Sequence, residues 1–304
     1  MFWKEIQHLV TKSTRRNLAI GRSNAAYPDA DTTHFGYQQV AKDAKKPMVE
    51  SVFHRVADRY DLMNDLMSCG VHRLWKDAFI KILHPVPPLR ILDMAGGTGD
   101  IAFRIAERFT THSASEKDAF FTNEDSGVSS IIVSDINSSM LQVGKERASR
   151  LFPDQAHLFD WIEADAEQLE PFRENEFDAY TIAFGIRNVT DINKALQQAY
   201  RVLRPGGRFL CMEFSYVDNV LLRSLYDMYS TNVIPSLGQI IAKDRDSYQY
   251  LVESIRQFPR QDEFKAMMHM VGFESIRHVN YSNGIVANFS GFKPLERQET
   301  STYA

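Results

Sequence analysis

Cysteine is scarce in this 304-residue chain, which holds only Cys69 and Cys211. Two thiols supply neither a disulfide framework nor a zinc site, and they suit a reduced compartment. An excess of basic charge is also missing. The net charge of -4 lacks the basic face of nucleic-acid binders, so no nucleic-acid partner is expected. No apolar run reaches the ~18 residues of a membrane-crossing helix. Acids are absent locally: Glu5 is the only one before Asp29. In that stretch Phe2, Ile6, Leu9 and Val10 share one helical face. Lys4, Lys12, Arg15, Arg16 and Arg22 accompany them, with hydroxyls at Ser13, Thr14 and Ser23. This is the composition of a mitochondrial transit peptide. Residues 1–27 are therefore expected to be a targeting segment, removed between Arg16 and Tyr27. The alternative is a solvated amphipathic helix belonging to the fold.

What remains has the 44% hydrophobic and 24% charged content of a globular protein. Its length suits one large α/β domain with appendages, or two small domains. Residues 28–47 are polar and read as a linker, and the domain is expected over 48–293. It is organised around Ile91–Asp100, ILDMAGGTGD. Arg90–Met94 has the pattern of a buried parallel strand, and helical spacing resumes over Ile101–Phe109. Between them Gly96, Gly97 and Gly99 form a turn. Strand, glycine turn and helix together make a nucleotide-binding crossover. Glycine permits the sharp turn and lets a ligand approach the backbone. The first amides of the helix face that ligand. Gly97–Ala102 also satisfies the dinucleotide pattern G-x-G-x-x-G/A, so a nicotinamide or flavin enzyme stays open at this point.

Further along, residues 110–130 are polar and read as an inserted surface loop. Ser130–Asp135 is the second strand. Asp135 at its tip can accept hydrogen bonds from ribose hydroxyls or cap the helix Ser138–Leu151. Phe159–Ala164 is the third strand. After it, Asp165 can accept from an adenine amino group while the Ala166 amide donates to a ring nitrogen; capping is the other reading of Asp165. Phe177–Phe184 is the fourth strand, followed at once by Arg187 and Asn188. Strand-end polar groups in this topology line the site, so both are expected to face the crevice; a surface salt bridge is the other reading of Arg187. Arg204-Pro205-Gly206-Gly207 is a turn before the fifth strand, Arg208–Phe214. An apolar and aromatic helical layer is expected over 216–256, with Val220–Ile241 read either as ordinary core or as a wall for a greasy ligand. A hairpin closes the domain, and 294–304 is a loose tail.

Two longer motifs carry a resemblance. Tyr60–Trp75 fits Y-D-x-M-N-x2-[LIVM]-S-x3-H-x2-W at Tyr60, Asp61, Met63, Asn64, Met67, Ser68, His72 and Trp75. Arg201–Gly207 fits R-V-[LIVM]-K-P-G-G, with Arg204 in place of Lys, and Glu213-Phe214-Ser215 follows. With DMAGGTGD, these motifs resemble the ubiquinone/menaquinone C-methyltransferases of the UbiE type, from Val49 to Lys293. The resemblance implies a class I methyltransferase, an α/β Rossmann-like sheet with helices on both faces. It implies S-adenosyl-L-methionine as methyl donor, held at Gly97, Thr98, Asp135, Asp165 and Ala166. A serine that bacterial relatives place late in the fourth strand is replaced by Ala183, so that contact is not carried over.

The family methylates a ring carbon of a polyprenyl benzoquinol, so the resemblance implies that substrate, with Tyr60 and Asn188 against it. His72 is a further candidate orienting group. The ring carbon becomes nucleophilic when a neighbouring hydroxyl, with an ordinary pKa near ~10, loses its proton. Arg187 is the candidate activating group. A guanidinium keeps its proton, so stabilising the phenolate suits it better than acting as a base. With the transit peptide, the resemblance is to the mitochondrial, ubiquinone-pathway branch. That implies the matrix face of the inner membrane by peripheral contact, other ubiquinone-biosynthesis proteins in a complex, and room for a homodimer. Two alternatives remain: a nicotinamide-dependent oxidoreductase, with Asp135 on a dinucleotide ribose, and a silent scaffold of the same fold.

Overall fold

The computed structural model describes residues 31–56, 64, 65, 68, 70–115, 129–239 and 244–295. The expected transit segment, the signature residues Tyr60, Asp61, Met63 and Met67, and residues 116–128 of the expected loop lie outside them, as does the tail beyond 295.

The chain begins with β1 (Thr32–Phe35) and β2 (Gln38–Ala41), an antiparallel pair joined across Gly36, whose φ is +57°. Helix α1 (Lys42–Val56) follows without a break. The expectation of a linker over 28–47 is corrected here. The hairpin is too short and polar to show strong alternation, and its Phe35-Gly36-Tyr37-Gln38 turn is the signal that was available. Helix α2 (His72–Leu83) comes next and buries Trp75, Phe79, Ile80 and Leu83 on one face.

The main domain alternates strand and helix: β3 (Arg90–Met94), α3 (Asp100–Ser115), β4 (Ser130–Asp135), α4 (Ser138–Leu151), β5 (Phe159–Glu163), β6 (Phe177–Ala183), α5 (Ile192–Val202) and β7 (Leu203–Phe214). Helix α3 continues through Ser115, so the first six residues of the expected loop are helical. The added layer is α6 (Val220–Met228), a π turn at Tyr229–Val233, α7 (Ile234–Leu237) and α8 (Arg245–Gln257). Helix α9 (Gln261–Val271), β8 (Glu274–Tyr281) and β9 (Val286–Phe292) close the chain.

The seven-stranded sheet has the order β5-β4-β3-β6-β7-β9-β8. Strands β3 to β7 pair in parallel, and the terminal hairpin pairs antiparallel with β7. Parallel strands are buried on both faces, which explains runs such as SIIVSD. Alternate residues point to opposite sides. Ile91, Ile131, Val133, Leu210 and Met212 join α2, α3, α4 and α8, while Leu92, Ile132, Tyr180, Phe209 and Cys211 join α5 and α9. The turn expected at Arg204–Gly207 is a bulge inside β7. Gly206 has φ +78°, and the β6–β7 register shifts between Phe177 and Ala179.

From β3 the connections run outward to β4 and β5, then cross back to β6 on the other side. The sheet therefore has its switch point between β3 and β6, where α/β folds bind ligands. The backbones meet closely there: a Cβ added to Gly185 would lie 2.4 Å from the Ala95 Cβ.

Candidate active site

A cleft of about 1110 Å³, counted out to open solvent, lies at this switch point. Its walls come from the carboxyl ends of β3, β4, β5 and β6, with α1 across the mouth. The glycine turn supplies the floor. Gly97 has φ +51° and donates its N–H to Asp135 Oδ2 at 3.0 Å, and a Cβ there would lie 2.8 Å from Met140 Cε. Thr98 is buried beside it, with Oγ1 accepting from Arg147 at 2.8 Å.

Acids end three adjacent strands. Asp135 accepts the Asn137 N–H at 2.9 Å through Oδ1. Burial pushes its pKa up to about 6 against the pull of the Asn137 and Gly97 amides. Asp165 accepts the Glu167 N–H at 2.9 Å, and its other oxygen accepts from Lys46 of α1 at 3.0 Å. Ala166 is buried in the same wall. Gly97, Thr98, Asp135, Asp165 and Ala166 thus all line one cleft, as does Asn188.

Sequence reasoning passed over Asp93, which read as the one acid in an apolar strand. It is buried in the cleft wall, with Oδ1 accepting from Thr181 at 2.7 Å. Among the described residues its Oδ2 makes no hydrogen bond of ordinary length. Burial drives its pKa to about 7, opposed by the Thr181 hydroxyl and the Ala102 backbone amide and helped by Asp100 and Asp135. Sequence reasoning also missed Lys76 and Asp100, paired at 2.5 Å at the cleft edge. Burial alone would raise Asp100, but Lys76 and Arg104 bring it down to about 2.

The orphaned Asp93 oxygen and the glycine cradle fit S-adenosyl-L-methionine well. Asp93 offers an acceptor to an ammonium, Asp135 to ribose hydroxyls, and Asp165 with the Ala166 amide to an adenine edge.

Arg187 takes another position. It is not in the cleft wall but lies beneath it, its side chain 2% exposed. Nη1 donates to Glu213 Oε1 at 2.8 Å and to the Phe184 carbonyl at 2.5 Å, and Nε donates to Ser254 at 3.3 Å. Burial pushes Glu213 above the usual carboxylate range, while Arg187 and the Phe214 amide pull it back. The expectation of an arginine facing the crevice is corrected for this geometry. The one-turn helix Ile186–Asn188 directs successive side chains to different sides, and the buried Glu213 captures the guanidinium. Asn188 is the neighbour that reaches the cleft, and its Oδ1 accepts from Tyr250 of α8 at 3.0 Å. Tyr60 lies outside the described residues. His72 is not in the cleft wall; it is buried, bonded to Asp65 at 2.8 Å, and burial lowers its pKa.

The expected apolar wall divides. Val220, Leu221, Leu225 and Met228 are exposed, whereas Ile234 is buried in the core. Ile240 and Ile241 lie outside the described residues.

The model of the ubiE/COQ5 methyltransferase family matches residues 38–293. A relative from Oryza sativa subsp. japonica, named mitochondrial 2-methoxy-6-polyprenyl-1,4-benzoquinol methylase, is 50% identical over 94% of this chain and 97% of its own. The Homo sapiens protein of that name is 50% identical over 87% of this chain and 85% of its own. Among solved structures, phosphoethanolamine N-methyltransferase 2 of Haemonchus contortus, in complex with S-adenosyl-L-methionine, superposes with a TM-score of 0.51 at 18% identity. That alignment covers 72% of this chain and 52% of the other, and it speaks to the fold alone.

Proposed function

Since the chain belongs to the ubiE/COQ5 methyltransferase family, we propose that it methylates a ring carbon of a polyprenyl methoxy-benzoquinol in ubiquinone biosynthesis, with S-adenosyl-L-methionine as donor. The observation that carries this reading is the set of three strand-end carboxylates, Asp93, Asp135 and Asp165, in one cleft beside Asn188. When bound, the cofactor supplies an electrophilic methyl group. Asp93 would hold its ammonium, Asp135 its ribose, and Asp165 with the Ala166 amide its adenine. Gly97 and Thr98 shape the floor.

On the other side of the switch point, Asn188 orients the quinol; Tyr60, outside the described residues, is a second substrate contact by its place in the family motif alone. Arg187 acts on the phenolate from beneath the loop, its charge partly offset there by the paired Glu213. Much of the rate would come from holding the quinol ring against the bound donor. The long tail leaves past the 216–256 layer, whose exposed Leu221, Leu225 and Met228 offer it an apolar path.

We place the protein in the mitochondrial matrix, held peripherally at the inner membrane with other proteins of ubiquinone biosynthesis. The acid-poor segment 1–27 and the mitochondrial relatives support this. Among the described residues no helix is long and apolar enough to cross a membrane. The decisive test is single turnover with a methyl-labelled donor and a short-tailed methoxy-quinol. Label on a ring carbon is expected. Tight binding of S-adenosyl-L-homocysteine without transfer to the quinol would identify a silent scaffold instead.

A further inference from the structure

Helix α8 sends two polar side chains, one turn apart, to consecutive residues of the loop after β6. Ser254 meets Arg187, and Tyr250 meets Asn188. Tyr250 is buried, and its ring stacks on Phe35 of β1, with centroids 4.1 Å apart and planes 18° apart. Val49 and Val52 of α1 complete the packing around it. The ring therefore has little freedom, and its hydroxyl is delivered to one place.

We propose that Tyr250 is a positioning residue for methyl transfer: its hydroxyl donates to Asn188 Oδ1 and thereby turns the Asn188 amide nitrogen toward the quinol. The proposal rests on the reading of Asn188 as a substrate contact. An asparagine amide offers an acceptor and a donor at opposite corners, and it can flip. Tyr250 engages the acceptor corner, which leaves Nδ2 as the donor for the cleft. A donor is what the reaction needs, since the quinol oxygen gains negative charge as the ring carbon is activated. Burial raises the Tyr250 pKa further from neutrality, so the phenol remains a donor at working pH. The amino-terminal hairpin thus acts on the site through a chain of contacts, Phe35 to Tyr250 to Asn188.

The test is a double-mutant cycle on the full chain, with Tyr250→Phe, Asn188→Ala and the pair, using a short-tailed quinol and labelled donor. Tyr250→Phe keeps the ring stack, and S-adenosyl-L-homocysteine binding by calorimetry checks that the fold is retained. The expected result is a kcat lower by about tenfold, the scale of one well-placed hydrogen bond, with homocysteine-product affinity unchanged. In the Asn188→Ala background the same change is expected to have no further effect. Wild-type kcat in Tyr250→Phe overturns the proposal. So does an equal loss in both backgrounds, or a loss of cofactor affinity matching the loss of kcat. Wild-type kcat in Asn188→Ala removes the substrate contact itself and the proposal with it. The absence of transfer by the wild type would instead refute the functional reading.

Discussion

The two sides of the switch point treat charge in opposite ways. At the ends of β3, β4 and β5, Asp93, Asp135 and Asp165 line the cleft, bonded to hydroxyl, backbone amides and one half-exposed lysine. One oxygen of Asp93 makes no hydrogen bond of ordinary length among the described residues. At the ends of β6 and β7, Arg187 and Glu213 are paired out of the cleft, and the neutral Asn188 alone of these three reaches it. The first side is built to receive donors from a ligand. The second keeps its acid paired with an arginine, and under the proposed reaction this spares a developing phenolate the repulsion of a free carboxylate. Half of the site waits for its partners, and half has already found them.

The largest expected effect comes from breaking the paired side. Arg187→Ala leaves Glu213 buried without its counter-charge, and removing one partner of such a pair costs about 3–5 kcal/mol. Thermal denaturation should show that loss, and single turnover should fall to background. The double variant Arg187→Ala/Glu213→Ala separates the two roles. Restored stability without turnover is expected if the arginine charge serves the chemistry. Restored turnover would mean that Arg187 only neutralises Glu213 and shapes the loop.

Breaking the open side should affect binding and leave folding largely intact. Asp135→Asn removes one acceptor for the ribose and one of the two oxygens holding Gly97 and Asn137. Hydrogen bonds to a charged group contribute roughly 1.5–3 kcal/mol, so homocysteine-product affinity is expected to fall by about 10- to 100-fold in calorimetry. An unchanged dissociation constant would take Asp135 out of the cofactor site.

The open side was also the more legible in sequence. Strand ends, glycine turn and acids follow from period and position, because parallel strands must be apolar and must end at the crevice. The choice between a dinucleotide and a methyl donor came from the longer motifs, since G-x-G-x-x-G alone fits both. The paired side was read less well. The position of Arg187 predicts nearness to the site, but a one-turn helix decides which way each side chain points, and only the fold brings Glu213 under it. Asp93 was passed over because a buried acid in an apolar strand looks the same in sequence whether or not it faces a cleft. The hairpin at 32–41 read as linker because its eight strand residues carry little periodic signal, yet it places Phe35 on Tyr250.

The smallest expected effect sharpens the comparison by pH. Asp93 and Asp135 sit at about 7 and about 6 in the fold, against an ordinary 3.8. A carboxyl with a raised pKa binds its proton more tightly folded than unfolded, so the ligand-free protein should gain stability as pH falls from 8 toward 4. Ligand binding should run the other way, because the ammonium and ribose need the charged or unprotonated oxygens. Between pH 8 and 6, Asp93 alone gives a loss of affinity of about tenfold. Asp93→Asn should flatten much of both trends, raise the melting temperature of the ligand-free protein at pH 8, and weaken the homocysteine product at that pH. The Arg187–Glu213 side should contribute nothing to the ligand-binding half of this profile, since neither group lines the cleft, whereas the raised pKa of Glu213 adds to the stability trend in the same direction as Asp93. Affinity that stays constant from pH 8 to 6 would show that the open carboxylates are not the ones that receive the cofactor.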